Sequence, residues 1–415
     1  MSYTNNMNTT LNPTCLIVDF SAGNIITHHL NYVLTYGKFL KEHEYRVKML
    51  LPKYTPTDQD LDEFDVYRVL LSREYRLDAP RISVRGIYCY FISRVGRLGK
   101  FVDYVVGRIL TRIYLLIAVK ELVKILHSEK SEYVIIFPST DLMAIRFMSL
   151  LLKKKISIKS FFVRINAVNK NLIDENLKFN GLELLGKLLI GNNSIHVGCE
   201  TKSLIRLLQK KGDEYERTRW VPLPSTPRLR NDNKGNSIGF LGGAKRRKGF
   251  DEIPKWINKL ERIITNPLFL IQTSPFPWPG YEKTIANLKE KNNVEFVDSI
   301  IDNVELFEQI SRCTYVVTPY DKSSYNLVGS SIFYYACDFL IPTISYDDLG
   351  FSDDIYEFQC GVLIRNLSDK IEIDLSLHET RVKLVERLII YNNFRNSQNL
   401  SFLKLSQGFK NPSGI

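Results

Sequence analysis

The chain has 415 residues, of which 44% are hydrophobic and 24% charged, which is ordinary for a globular protein and enough for two domains with full cores. Its net charge of +11 excludes an uncharged surface, so we expect an anionic partner unless the cations only face solvent. No apolar run reaches the roughly 18 residues of a membrane span. The six cysteines form no CxxC pair, which favours buried thiols over disulfides or zinc ligands. The polar N-terminus resembles no secretory signal, so the cytoplasm is the expected location.

The first half of the chain alternates apolar strands with helical patterns. CLIVDF is followed by the loop SAGN, a helical pattern and a second apolar strand that ends at Pro52, which together form a βαβ unit. The runs EYVIIFP, SFFVRINAV and SIHVGCET repeat the pattern, whereas residues 53–85 are mixed and polar. We therefore predict a Rossmann-like domain over residues 1–221.

A long helical pattern between Gly86 and His127 combines apolar and aromatic residues with interspersed Arg and Lys. A cationic amphipathic helix of this kind can lie on an anionic bilayer. The same periodicity is typical of a helix that covers a sheet and leaves one face in solvent. Both interpretations stay open at this point.

The second half of the chain begins after a linker. Residues 222–236 contain several prolines and no periodicity, and the β/α alternation restarts at Ser237. We predict that residues 237–415 form a second Rossmann-like domain with terminal helices that pack back on the first. The expected fold class is α/β, with two tandem Rossmann-like domains that face each other across a cleft.

The segment SIGFLGGAKRRKGF, residues 237–250, has the pattern of an anion-binding loop. A buried strand leads to Gly242 and Gly243, then to four consecutive cations, and then to an amphipathic helix. Glycines allow backbone N–H groups to approach a ligand closely, and a helix N-terminus adds partial positive charge. The alternative is a turn that carries ordinary surface cations.

A second candidate anion site follows the strand TYVV. It comprises Tyr325 and the small residues Gly329, Ser330 and Ser331 at the predicted start of a helix. Backbone N–H groups there lack helical partners, and the serine hydroxyl adds a donor. A helix cap by itself also explains Ser330, and Tyr325 is equally compatible with a buried core residue.

These two segments resemble GT-B glycosyltransferases of the retaining group 1, similar to family 4. FLGG…RRKGF resembles the family's glycine loop, in which Arg246 and Lys248 would grip the donor diphosphate, while Lys245 and Arg247 would face solvent. PYDKSSY…GSS…A…P resembles the donor-nucleotide segment, with Tyr325, Ser330 and Ala336 in register. The flanking Gly242, Gly243, Gly329 and Ser331 would complete the donor site.

The resemblance implies transfer of a sugar from a nucleotide-diphosphate sugar to a glycan or lipid-linked glycan, with retention of anomeric configuration. Surface polysaccharide biosynthesis is the expected setting, with an anionic membrane surface as a further partner. It implies no additional cofactor and no nucleic-acid partner. No metal ion is expected either, because Arg246 and Lys248 can supply the positive charge.

Two positions depart from the family pattern. Tyr335 stands where the family has a glutamate implied to bind the ribose hydroxyls, and Leu327 takes the place of an earlier glutamate. A phenol offers one oxygen where a carboxylate offers two, so Tyr335 would contact the donor differently. Two alternatives therefore stay open: a nucleotide-sugar epimerase or hydrolase on the same fold, and a non-catalytic nucleotide- or glycan-binding protein.

The acceptor side of the predicted cleft is less clearly marked. SAGNIITHH resembles the family's glycine loop and helix on that side, with Gly23, His28 as a catalytic candidate and His29 as an acceptor contact. Adjacent helical residues point in different directions, so at most one histidine faces the cleft, and a structural role is the alternative. Asp141 would either hold an acceptor hydroxyl or cap a helix.

Overall fold

The computed structural model describes residues 13–22, 28–53, 55, 59–70, 112–127, 132–154, 156–166, 181–229, 235–273, 280–297 and 303–406. Gly23 and the part of the cationic helical pattern before residue 112 lie outside these ranges. For His28 only the backbone is described. None of the described helices is long and apolar enough to cross a membrane.

The first sheet has seven parallel strands in the order β3-β2-β1-β4-β5-β6-β7. The strands are β1 (Thr14–Val18), β2 (Val47–Pro52), β3 (Asp65–Leu70), β4 (Tyr133–Phe137), β5 (Ile158–Ile165), β6 (Ile195–Cys199) and β7 (Arg219–Trp220). Strand β3 lies within the stretch that the sequence left unassigned. It is an edge strand and half-exposed, so it lacks the continuous apolar run of a central parallel strand.

Helices cover both faces of this sheet. They are α1 (His28–Glu42), α2 (residues 112–127), α3 (Leu142–Leu151), α4 (Gly181–Ile190) and α5 (Lys202–Gln209). Side chains alternate along β1, so Cys15 and Ile17 pack towards α1 whereas Leu16 and Val18 pack towards α2 to α5. For residues 112–127 this confirms the sheet-covering interpretation.

The second sheet has six parallel strands in the order β10-β9-β8-β11-β12-β13. The strands are β8 (Ser237–Phe240), β9 (Leu268–Gln272), β10 (Val294–Val297), β11 (Tyr315–Thr318), β12 (Thr343–Tyr346) and β13 (Gly361–Ile364). Both sheets therefore have the order of a doubly wound domain. Its ligand crevice lies where the order reverses, between β1 and β4 and between β8 and β11. The predicted fold class is confirmed.

The helices of the second half are α6 (Ile253–Leu260), α7 (Glu282–Lys289), α8 (Asn303–Ser311), α9 (Lys322–Tyr325), α10 (Ser331–Asp338), α11 (Ser352–Phe358) and α12 (His378–Ser406). Helix α12 returns to the first sheet, where the ring of Phe402 packs edge-on against Phe162 of β5 at 4.2 Å. The predicted packing of the C-terminal helix on the first domain is thus confirmed.

The linker is held by α12. Arg395 is fully buried and donates to the carbonyl oxygens of Leu223 and Pro224 at 2.7 and 3.0 Å. Its guanidinium also pairs with the buried Asp338 of α10 at 2.9 Å. Three parts of the chain therefore meet at one arginine, which stabilises the arrangement of the two domains.

Candidate functional site

The loop after β8 has a backbone that requires glycine. Gly242, Gly243 and Gly249 have φ angles of 134°, 78° and 69°, which L-residues rarely adopt. A Cβ on Gly242 would lie 2.6 Å from the Lys248 ammonium, and one on Gly249 would lie 1.6 Å from the carbonyl oxygen of Pro319. The Gly242 N–H donates to the side chain of Gln272 at 2.6 Å. The glycines thus let the loop close against β9 and β11 and let Lys248 fold back over it.

Lys248 lies in an apolar cavity. It ends the single 3₁₀ turn Arg246–Lys248, is half-buried, and its Nζ lies 5.8 Å from the ring centroid of Tyr320. The cavity walls include Phe240, Leu241, Phe250 and Val317. No carboxylate of the described chain forms an ion pair with Lys248. Burial, together with the charges of Lys245 and Arg247, lowers the pKa of Lys248 to about 7.

The other three loop cations differ from one another. Arg246 and Arg247 are exposed, whereas Lys245 is half-buried, so the expectation that Lys245 faces solvent is wrong. Burial lowers the pKa of Lys245 as well, followed by the effect of Arg247. Burial raises the pKa of Tyr325, and the charge of Arg247 opposes that rise. Arg247 therefore acts electrostatically on the second candidate anion site.

The second candidate site lies at the start of α10. Ser330 caps the helix: its Oγ accepts from the Phe333 N–H at 3.2 Å and donates to the Tyr320 hydroxyl, also at 3.2 Å. Ser331 is the half-buried first residue of the helix. Tyr325 is buried and its ring packs on Tyr320 with 4.4 Å between centroids.

Tyr320 joins the two predicted anion sites, although sequence reasoning did not single it out. It is the second residue after β11, and β11 pairs with β8, so both loops leave the sheet at adjacent strand ends. The Lys248 ammonium lies near the ring of Tyr320, and Ser330 at the start of α10 bonds to the Tyr320 hydroxyl, so both predicted sites contact this one side chain. The position of an aromatic residue just after a central parallel strand is the signal that could have identified it.

The first domain reaches the same place through Glu200, which follows β6. Arg164 of β5 donates to Glu200 Oε1 at 2.9 Å, and both side chains are at most 1% exposed. A Cβ on Gly329 would lie 2.3 Å from the Glu200 carboxyl carbon. The next residue, Thr201, donates its hydroxyl to the carbonyl oxygen of Leu327 at 2.9 Å. The loops after β6 and before α10 are therefore in direct contact, which sequence reasoning missed.

The acceptor-side candidates His29 and Asp141 each contact another group of the first domain. His29 Nδ1 lies 3.7 Å from Oδ2 of Asp19, a buried carboxylate at the end of β1 that sequence reasoning did not name. Asp141 caps α3 by accepting from the Ala144 N–H at 2.8 Å. Their contacts with an acceptor stay predictions. Within the described ranges no group of three or more His, Cys, Asp or Glu is placed to hold a metal ion.

Tyr335 lies inside the protein rather than at the surface of the donor loops. It is 2% exposed, its ring packs edge-on against Phe307 of α8 at 5.1 Å, and it lies beside Asn31 of α1. Burial raises the pKa of the Tyr335 phenol well above its usual range. This position favours a packing role over the ribose contact that the resemblance implies, and the variant Tyr335→Phe distinguishes the two.

Solved structures with this architecture include glycosyltransferases and sugar-phosphate synthases of the GT-B fold. The chain is similar to sucrose-phosphate synthase from Thermosynechococcus elongatus (13% identity, 96% of this chain and 99% of that chain, TM-score 0.55). It is also similar to HepE of Anabaena, solved with UDP and glucose (11%, 95% and 100%, TM-score 0.57), and to a glycosyltransferase from Rickettsia africae (12%, 96% and 100%, TM-score 0.58). At these identities the similarity establishes the shared GT-B fold. No family model and no curated protein sequence matches the chain.

Proposed function

We propose that the protein is a glycosyltransferase that moves a sugar from a nucleotide-diphosphate sugar to a glycan or lipid-linked glycan. The observation that carries the proposal is the convergence of Lys248 and Ser330 on Tyr320 at the adjacent ends of β8 and β11. A cation that pairs with no carboxylate of the described ranges and a helix N-terminus together suit a doubly charged diphosphate. The bound UDP and glucose of HepE, which has the same fold, support a nucleotide-sugar donor.

The proposed chemistry follows from charge. Breaking the anomeric C–O bond develops negative charge on the leaving diphosphate. Lys248, the exposed Arg246 and the N-terminus of α10 would stabilise this charge as it grows. Loss of one such group typically costs about 3 kcal/mol, or about a hundredfold in rate. Because these groups supply the positive charge, the proposal includes no metal ion.

Retention of configuration, a role in surface polysaccharide synthesis and a cytoplasmic, peripheral membrane location belong to the same proposal. The membrane part is supported by the net charge of +11 and by the exposed apolar side chains Ile113, Leu116 and Ile117 at the start of α2. Flotation with anionic and neutral liposomes tests it: we expect binding to the anionic vesicles only. If the protein binds neither the anionic nor the neutral vesicles, the membrane part of the proposal is wrong.

The central experiment screens the purified protein against UDP-, GDP-, ADP-, CMP- and dTDP-sugars and follows thermal stabilisation and nucleotide release. We expect stabilisation by one nucleotide class and release that depends on an acceptor. The Lys248→Ala variant should lose both. Lys255→Ala is the matched control, because Lys255 is an exposed lysine of α6 in the same domain.

Other outcomes of this screen separate the alternatives. Release without any acceptor indicates a hydrolase, and interconversion of the sugar indicates an epimerase. Binding without turnover indicates the non-catalytic protein that Leu327 and Tyr335 favour. If no nucleotide stabilises the protein and Lys248→Ala changes nothing, the proposal is wrong.

A further inference from the structure

None of the described residues assigned to the donor site in the second domain carries a carboxylate, and that of the adjacent Asp321 already accepts from Ser323 and Ser324. The two positions at which the resembling family has glutamates are Leu327 and Tyr335 in this chain. Asp338, farther along α10, is buried against Arg395 and bonded to it, so it is not available to a ligand. A sugar nucleotide presents several hydroxyl donors, and a carboxylate is the strongest acceptor for them.

We propose that Glu200 supplies this carboxylate from the first domain and accepts a hydroxyl of the bound sugar nucleotide. The inference rests on the proposed function, and it assigns Glu200 a binding role in the same site. Its carboxyl group lies directly on the backbone of Gly329, between the two positions that lack a glutamate. Gly329 has no side chain, and this leaves the space that the carboxyl group occupies.

Within the described residues, the two donors to the Glu200 carboxylate both bind one of its oxygens. Oε1 accepts from Arg164 at 2.9 Å and from the Tyr32 hydroxyl at 3.4 Å. Among the residues that the structure describes, no group donates a hydrogen bond to Oε2. An ionised carboxylate has about four acceptor positions, and the described donors occupy two of them, so Glu200 can accept a further hydrogen bond from a ligand hydroxyl.

The surroundings hold the Glu200 carboxylate in one orientation. Arg164 is anchored by the carbonyl oxygens of Val221 and Pro138 at 3.2 and 3.1 Å, so its position does not depend on Glu200. The hydrogen bond from Thr201 to Leu327 fixes the adjacent backbone to the donor loop. A preorganised charged acceptor gives a stronger hydrogen bond than a mobile surface group.

The test compares ligands with and without hydroxyl groups. The probes are inorganic diphosphate, the nucleotides UDP, GDP, ADP and dTDP, and their glucose conjugates, measured by calorimetry with the full chain. We expect Glu200→Gln to lower the affinity for the nucleotide that the wild type binds, or for its glucose conjugate, by about tenfold to a hundredfold. The affinity for inorganic diphosphate should be unchanged.

The pattern of loss identifies the hydroxyl. An equal loss for the nucleotide and its glucose conjugate assigns the ribose, and a loss confined to the conjugate assigns the transferred sugar. Both results support the inference. If Glu200→Gln binds every probe as the wild type does, Glu200 makes no contact with the ligand and the inference is wrong. If the variant loses affinity equally for diphosphate and for every nucleotide and conjugate, the role of Glu200 is purely structural and the inference is also wrong.

Two further variants keep the result interpretable. Glu357→Gln is the matched control, since Glu357 is a half-exposed glutamate that pairs with Lys202 across the same domain interface. If Glu200→Gln does not fold, the double variant Arg164→Met/Glu200→Leu replaces the buried pair with apolar groups of similar size, which proteins often tolerate. It should show the same selective loss. If the wild type binds no probe at all, the proposed function itself is wrong. If the wild type binds a nucleotide and Glu200→Gln binds it equally well, only the role of Glu200 is wrong.

Discussion

The ammonium of Lys248 lies 5.8 Å from the ring centroid of Tyr320 and pairs with no carboxylate in the described part of the chain. A lysine in an apolar cavity without a counterion destabilises the ligand-free protein, since burial disfavours its charged form. A bound diphosphate would remove that cost. The position of Lys248 is therefore better suited to binding an anion than to stabilising the fold.

Nucleotide binding should depend on pH through Lys248. Its pKa of about 7 means that the free protein carries the charge below pH 7 and loses it above. A bound diphosphate raises this pKa, so binding above pH 7 takes up a proton and the affinity falls as pH rises, by at most about tenfold per pH unit. Calorimetry between pH 7 and 9, in buffers of different ionisation enthalpy, measures both the affinity and the number of protons taken up on binding.

Lys248→Arg provides the control for this dependence, because arginine stays charged throughout that range. The variant should bind with an affinity that is nearly independent of pH. If the variant and the wild type show the same slope, Lys248 is not the group that titrates.

Substitution of Gly249 by alanine should disrupt the loop. The φ of 69° strains any L-residue, and the new Cβ would collide with the carbonyl oxygen of Pro319. We expect the free energy of unfolding to fall by about 2 kcal/mol or more, together with loss of nucleotide binding. Gly191→Ala is the control, since no atom lies within 4 Å of its added Cβ. Urea unfolding of both variants checks this, and equal stability would contradict it.

Removal of the Tyr335 hydroxyl should leave donor binding nearly intact. The phenol is 2% exposed and packs against Phe307, so its ring fills space between α8 and α10. We expect Tyr335→Phe to bind the nucleotide within about twofold of the wild type, well under 1 kcal/mol. A tenfold loss measured by calorimetry would instead show that Tyr335 contacts the ribose.

Arg395 should be essential for stability rather than for binding. Arg395→Met leaves Asp338 buried and uncompensated, which costs about 3–5 kcal/mol. The double variant Arg395→Met/Asp338→Leu should recover most of this loss in denaturant unfolding. Arg206→Met, which breaks the exposed pair with Asp353, should cost at most about 1 kcal/mol. Similar losses for Arg395→Met and Arg206→Met would contradict the argument.

The elements that sequence reasoning predicted well are the central parallel strands. The strands β1 and β8 are buried on both faces, so each is a short apolar run that can be recognised without knowing its neighbours. Strand β3 was missed because an edge strand is only half covered. The exposure of Lys245 was mispredicted, because neighbouring cations in a tight turn cannot be ranked by burial from sequence alone.

The sequence by itself determined the α/β class and the two-domain layout, and it predicted the two candidate anion-binding segments. Apolar periodicity, glycine at positive φ and helix capping are local properties that a few adjacent residues specify. Only the tertiary structure decided that Lys248 and Ser330 share Tyr320, and that Glu200, which pairs with Arg164, lies against Gly329. Those contacts join strand ends that are distant in the chain, so they depend on strand order and domain packing, which no local pattern encodes.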